Sequence, residues 1–217
     1  MSSRVAVVAD ALRTAIARGD YLPGERLVEL RIAAAHQVSQ VTARDALRLL
    51  DKEGWVVSEP RRGATVRTFT TAQAEEVYAL LAAIESQALR WVFSTLKKAA
   101  RDELRGHVRA ARRASLDSKT GLGLSILFEI HLTLARIASA EHPLTGELLD
   151  RLHNHARLLE AMRRSRSKLP SRELDPLIAG HDAFCERLDA RDLDGAEALL
   201  RRQIVLYGAL VLDVLRA

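Results

Sequence analysis

The chain has 217 residues, of which 48% are hydrophobic, 28% charged and only 4% aromatic, and its formal net charge is +5. That length accommodates two small domains with packed cores, and the dominance of Ala, Leu and Arg excludes a mostly β fold. The single cysteine, Cys185, excludes an intrachain disulfide. There is no signal-like N-terminus and no apolar run of bilayer length, so the expectation is a cytoplasmic protein. The cationic excess is compatible with a polyanionic partner.

Residues 3–18 place Val5, Val8, Ala9, Leu12 and Ile16 at helical spacing, with Ser3 as a cap and Gly19 as a stop. Tyr21, Leu22, Pro23 and Gly24 form a turn. Leu27 leads into a helix through about His36, with Leu30, Ala33 and Ala34 expected to face inward. After a break at Gln37-Val38, Ser39 caps a second helix that ends near Glu53 and is closed by Gly54. Residues 55–58 and 64–67 read as strands of a hairpin whose tip carries Arg61 and Arg62. The second helix has an apolar face of Ala43, Ala46, Leu47 and Leu50. Its opposite face presents Gln40, Arg44 and Arg48 at four-residue spacing. A short helix with one face committed to a core and an amide-bearing, cationic face left to solvent suits the DNA major groove.

The block from Leu12 to Val66 resembles the winged helix-turn-helix of the GntR family of bacterial transcriptional regulators. The matching residues are Ile16, Gly19, Leu22, Pro23, Gly24 and Leu27, then Val38, Ser39, Arg44, Ala46, Leu47, Leu50, Glu53 and Gly54, and in the wing Arg62, Gly63 and Val66. Two positions depart from the family pattern: Gln40 stands where Arg is usual, and Asp45 where Glu is usual. The resemblance implies that Ser39, Gln40, Thr42, Arg44 and Arg48 face base edges or phosphates. It implies as well that Arg61, Arg62 and Gly63 bring the wing to the minor groove. Arg pairs with guanine and Gln prefers adenine, so Gln40 is expected to change the base read at one operator position.

From residue 70 strand signals vanish and helical periodicity repeats six times, with breaks near Ser94, Asp117, residues 141–143, Leu169-Pro170 and Arg191-Asp192. The charged segment around residues 97–113 reads as a solvated helix with one apolar edge. The other helices carry broad apolar stripes, as an antiparallel bundle requires. The predicted fold is therefore mainly α, with a winged helix-turn-helix over residues 1–69 and an all-helical bundle over residues 70–217. Three stripes are interrupted by polar residues: His131 on the stripe of Leu124, Leu127 and Leu134, His181 between Leu177 and Leu188, and Gln203 between Leu200 and Tyr207. An unpaired polar group in a core costs roughly 1–3 kcal/mol. Each of the three could be satisfied locally, but three on three helices point to a shared polar cavity. His155 lies at the edge of the Leu148, Leu152, Leu159 stripe.

The bundle resembles the FCD effector domain of the FadR-like branch of GntR regulators, and its six helices lean towards the VanR-type subgroup. Many FCD domains hold a divalent metal with one Asp and three His. His131 and His181 match two of these ligands, whereas Leu127 and Gln203 occupy the positions of the Asp and the third His. A family Arg is replaced by Leu81, with Ile84 and Glu85 following. Two imidazoles without an anionic ligand make a poor Zn²⁺ site, so no cofactor is expected and any binding of Zn, Ni or Mn would be weak, with His155 as a candidate substitute ligand. His131, His155, His181, Gln203 and Tyr207 are the expected effector contacts, for a less charged or partly apolar molecule or a small acid.

The resemblance implies a homodimeric, effector-responsive regulator of a metabolic operon, usually a repressor in this family, bound to a pseudo-palindromic double-stranded DNA operator. A His-dependent or metal-dependent enzyme has only the His cluster in its favour, with no nucleophile and base set beside it. An architectural DNA-binding protein without a ligand would have a filled bundle core.

Overall fold

The computed structural model describes residues 3–59, 62–117, 119–167 and 170–216. Helix α1 (Arg4–Arg18) begins where the Ser3 hydroxyl accepts from the Ala6 amide at 3.2 Å, and it ends at Gly19 in the left-handed region, φ 89°. The turn at Pro23-Gly24 is fastened by Gly24 N donating to the Val66 carbonyl. It leads into a two-residue strand, β1 (Arg26–Leu27), too short to leave a pattern in the sequence. Helix α2 (Glu29–His36) follows directly and buries Ile32 and Ala33. Leu30 and Ala34, expected inside, are exposed because each stands two residues, about 200° of turn, from Ile32, which takes the buried face.

Helix α3 (Gln40–Lys52) starts at Ser39, whose hydroxyl accepts from Thr42 N at 3.1 Å. Strands β2 (Val56–Glu59) and β3 (Gly63–Val66) pair antiparallel, with Val56 opposite Val66 and Glu59 opposite Gly63. β1 adds to the free edge of β3, giving the order β1-β3-β2. Beneath them lies one core of Val8, Leu12 and Ile16 from α1, Ala43, Ala46, Leu47 and Leu50 from α3, and the fully buried Trp55.

Thr70 and Gln73 form a capping box that opens α4 (Thr71–Val92). The remaining helices are α5 (Lys98–Leu116), α6 (Thr120–Ser139), α7 (Pro143–Arg166), α8 (Leu174–Asp189) and α9 (Leu193–Arg216). Short connections make α5 and α6, α6 and α7, and α8 and α9 pack as neighbours, while α4 lies against α9, α7 and α6. α5 keeps only Leu104, Val108, Ala111 and Ala114 buried, and its cations pair with carboxylates of α8, Arg101 with Asp189 at 3.0 Å. Contrary to the sequence expectation, α6 is long and apolar enough to cross a membrane by length and composition. Half of that apolar window is buried within the protein, and His131 sits at its centre.

α7 also belongs to the head. Its Leu158 is fully buried in the same apolar cluster as Trp55 and Leu50. Beside it, Asn154 Nδ2 donates to the carbonyl of Glu53 at 3.1 Å, and the Arg164 guanidinium donates to the carbonyl of Ala17.

Candidate nucleic-acid interface and ligand cavity

Burial of four apolar side chains, each worth up to about 1.5–3 kcal/mol for the larger ones, fixes the rotation of α3. Gln40, Arg44 and Arg48 are thereby left on the exposed side. Glu29, the first residue of α2, reaches two of them. Its carboxylate accepts from Gln40 Nε2 at 2.9 Å, and from Arg44 Nε and Nη2 at 2.9 Å each. Those bonds, Arg44 first and then Gln40, hold the Glu29 carboxyl below its usual range. Arg48 is 72% exposed beside Asp45, and Thr42 shares a 2.9 Å hydroxyl contact with Ser39. On the wing, Arg62 is 82% exposed and Gly63 has φ 84°, while Arg61 lies outside the described residues. A concavity of about 580 Å³ separates α3 from the sheet and is walled by Arg26, Glu29, Gln40, Arg44, Arg48 and Gly63.

The second site is a cavity of about 540 Å³ inside the bundle that reaches the head. His131, His181, Gln203 and Tyr207 all line it, together with Leu81, Leu127 and Phe128. His155 does not. Its ring packs edge-on against Phe69, and a Cβ at Gly54 would lie 2.6 Å from its Nε2, so it faces the head. Burial and the neighbouring Arg67 and Arg151 push its pKa down to about 4.

The cluster contains two residues that sequence reasoning missed in this role, Glu85 and His153. Glu85 is 3% exposed and receives His131 Nδ1 at 2.6 Å and His153 Nε2 at 2.9 Å. Burial acts to raise this carboxyl, but the charge and hydrogen bond of His131 and the bonds of His153 hold it at about 2. His181 Nδ1 donates to the Leu177 carbonyl at 2.7 Å, which leaves a lone pair on Nε2, 3.3 Å from His131 Nε2. Burial, then the charge of His131, push the His181 pKa down to about 3. His131 thus lies between the two, with Nδ1 towards the Glu85 carboxylate and Nε2 towards His181. The signal for Glu85 was a carboxylate within the otherwise apolar series Leu81, Glu85, Leu89, and for His153 its four-residue spacing from Leu149.

At the other end of the cavity Tyr207 donates to Glu160, which also accepts from Arg163 Nε at 2.7 Å. Arg157 sits 5.4 Å above the Phe128 ring. Three residues of the cavity wall carry a buried polar atom without a protein partner among the described residues: Trp55 Nε1, Tyr78 Oη and Gln203 Oε1. Trp55 belongs to the head, as do Asp10, Arg13 and Thr14 of α1, which complete the wall.

The residues present do not fit the metal that the family resemblance implies. His131 and His181 are the only imidazoles among the four expected ligand positions, Leu127 has no donor atom, and Gln203 offers a neutral amide. Glu85 meets His131 through Nδ1 and is itself engaged by His153. Among the described residues no group of three or more His, Cys, Asp or Glu is arranged to hold a metal ion, whereas zinc usually takes three or four such ligands.

Comparison with known proteins agrees with both halves of this geometry. The profile "Bacterial regulatory proteins, gntR family" matches residues 4–66, and that of the FCD domain matches residues 76–205. The chain is 32% identical over 81 residues to the uncharacterized HTH-type transcriptional regulator YdhC of Bacillus subtilis, covering 37% of this chain and 36% of YdhC. It is 29% identical over 87 residues to an uncharacterized HTH-type regulator of Agrobacterium vitis, covering 40% and 51%. The match thus spans about a third to a half of the length of these curated relatives. Among solved structures, E. coli McbR/YncC superposes with a TM-score of 0.85 at 18% identity over 98% of this chain and 99% of the other, a likeness of fold. A GntR regulator of Rhodococcus sp. RHA1 does so with a TM-score of 0.77 at 26% identity over the same shares. The winged head followed by a helical FCD domain places this chain in the GntR family of bacterial transcriptional regulators, a family of regulators rather than enzymes.

Proposed function

We propose that the chain is a sequence-specific, effector-responsive repressor of a metabolic operon, acting in the cytoplasm. The observation that carries this is the exposed Gln40, Arg44 and Arg48 face of α3, set beside a wing and held outward by a buried apolar face. One such helix covers only a few base pairs. A homodimer would place two helices on the half-sites of a pseudo-palindrome, about 10 bp apart or less.

The bundle cavity is proposed as the effector site. Its apolar wall of Leu81, Leu127 and Phe128, with the unpartnered Trp55 N–H, Tyr78 hydroxyl and Gln203 carbonyl, suits a small, partly apolar molecule bearing both acceptors and a donor. Both carboxylate oxygens of Glu85 are engaged, by His131 and His153, and the donor set supports a site that works without a resident metal. An effector here would touch α1 and Trp55 of the head and helices of the bundle at once. Binding would bias the placement of the head directly, a coupling of about 1–3 kcal/mol in typical allosteric proteins.

The test is a duplex obtained by selection from a random pool, titrated at moderate salt against wild type and Arg44→Ala. Loss of at least about tenfold in affinity is expected, and unchanged affinity overturns the reading. Thermal-shift screening of uncharged against carboxylate metabolites, followed by titration of the complex with each hit, tests the effector half. A hit that stabilises wild type but leaves DNA affinity unaltered would refute effector control.

A further inference from the structure

We propose that Glu29, outside the recognition helix, determines what that helix reads, by fixing the amide of Gln40 and bracing Arg44 along one edge. The proposal rests on the DNA-binding reading of α3. A carboxylate can only accept, so the Gln40 atom 2.9 Å from Glu29 Oε2 must be its amide NH₂. Its carbonyl oxygen and its second N–H are then the groups left for a partner. An unrestrained Gln pairs with adenine through both ends of its amide, one donor and one acceptor. A Gln held by one of its two N–H groups keeps one donor and the acceptor in a fixed orientation, a pair that suits adenine N6 and N7.

Arg44 is constrained in a complementary way. Nε and Nη2 both donate to Glu29, the side-on edge of the guanidinium. The end-on edge, with Nη1 and the second hydrogen of Nη2, stays available for a bidentate contact to guanine O6 and N7. One carboxylate therefore orients two readers a helical turn apart, an amide with a donor and an acceptor and a guanidinium that only donates. Two-point attachment also removes rotamer freedom from Arg44 before DNA arrives, so less ordering remains to be done on binding.

The clamp is a surface feature, with side-chain exposures of 46% for Arg44 and 29% for Glu29. Neither residue belongs to the apolar core of the head. Its removal is therefore expected to act on base choice with little effect on folding, which separates a positioning role from a structural one.

The experiment is selection from a randomised duplex library with the full chain as wild type, Glu29→Gln, Glu29→Ala and Gln40→Ala, with melting temperatures measured in parallel. Wild type is expected to select adenine at one half-site position and guanine at a neighbouring one. Glu29→Gln and Glu29→Ala should melt as wild type and still bind, with discrimination at both positions reduced by about tenfold. Gln40→Ala should lose the first preference and keep the second. If the Glu29 variants return the wild-type consensus at both positions, Glu29 sets nothing and the proposal is overturned while DNA binding stands. If wild type enriches no sequence, the DNA-binding reading fails and the proposal falls with it.

Discussion

Asn154, on a helix of the effector domain, donates from Nδ2 to the backbone carbonyl of Glu53 at 3.1 Å, the residue that caps the end of α3. The last carbonyls of a helix have no partner within it, so this one is supplied by the other domain. Asn154→Ala removes a bond of about 1 kcal/mol and should lower Tm by about 2–4 °C. Amide exchange should accelerate at the C-terminal turn of α3 and in α1. Exchange at those sites equal to wild type would show that the bond does not hold the head.

Replacing Gln40 by Arg substitutes a pure donor for an amide that presents a donor and an acceptor. Selected sites should change at a single half-site position, from adenine to guanine, by about 1–3 kcal/mol of preference. Identical consensus sequences from Gln40→Arg and wild type would refute a base-reading role for position 40.

Acidification should destabilise the protein through His181. Its folded pKa is depressed from 6.5 to about 3, so the unfolded chain binds a proton that the native state refuses. Stability is complete above pH 6.5 and falls as pH drops towards 3. His155, depressed to about 4, adds to the loss in the same direction. Glu85, held at about 2 against 4.5, extends it from pH 4.5 downward. Between about pH 6.5 and 4.5 the melting temperature should fall by about 5–10 °C, and His181→Gln should flatten that slope. An equal slope in the variant would place the titrating group elsewhere.

Gly54 ends α3 with φ 88°, and an added Cβ would meet His155 Nε2 at 2.6 Å. Left-handed backbone alone costs a non-glycine residue about 1–2 kcal/mol, and the imidazole must also move. Gly54→Ala should therefore be less costly in a His155→Ala background than in wild type by about 1 kcal/mol, measured by denaturant unfolding. Strict additivity of the two substitutions would mean that the ring yields freely.

Purified protein should carry less than one equivalent of Zn, Ni or Mn by elemental analysis. A full equivalent, lost in His131→Ala, would show that the imidazole pair recruits a further ligand and that the cavity is a metal centre.

Much of the head is legible in the chain because its signals are local. Ser39 caps α3, Gly19 and Gly54 stop helices, and the period of Ala43, Ala46, Leu47 and Leu50 alone decides which way Arg44 points. Strand β1 was not legible, since two residues have no periodicity and become a strand only when β3 is beside them. The cavity was legible in part. His131, His181 and Gln203 interrupt apolar stripes, and each interruption is visible on its own helix.

What the sequence by itself determined is the facing of each amphipathic helix: how α3 rotates, and that polar atoms enter the bundle. What only the tertiary structure decided is which polar groups meet. His153 and His155 are two residues apart on α7, about 200° around a helix that turns 100° per residue, so they must look in nearly opposite directions. Because Leu158 is buried in the head while Leu149 and Leu159 are buried in the bundle, α7 runs between the two. His153 therefore meets Glu85, and His155 meets the head. Contacts between helices far apart in the chain depend on how the whole bundle closes, and no spacing along a single helix encodes that.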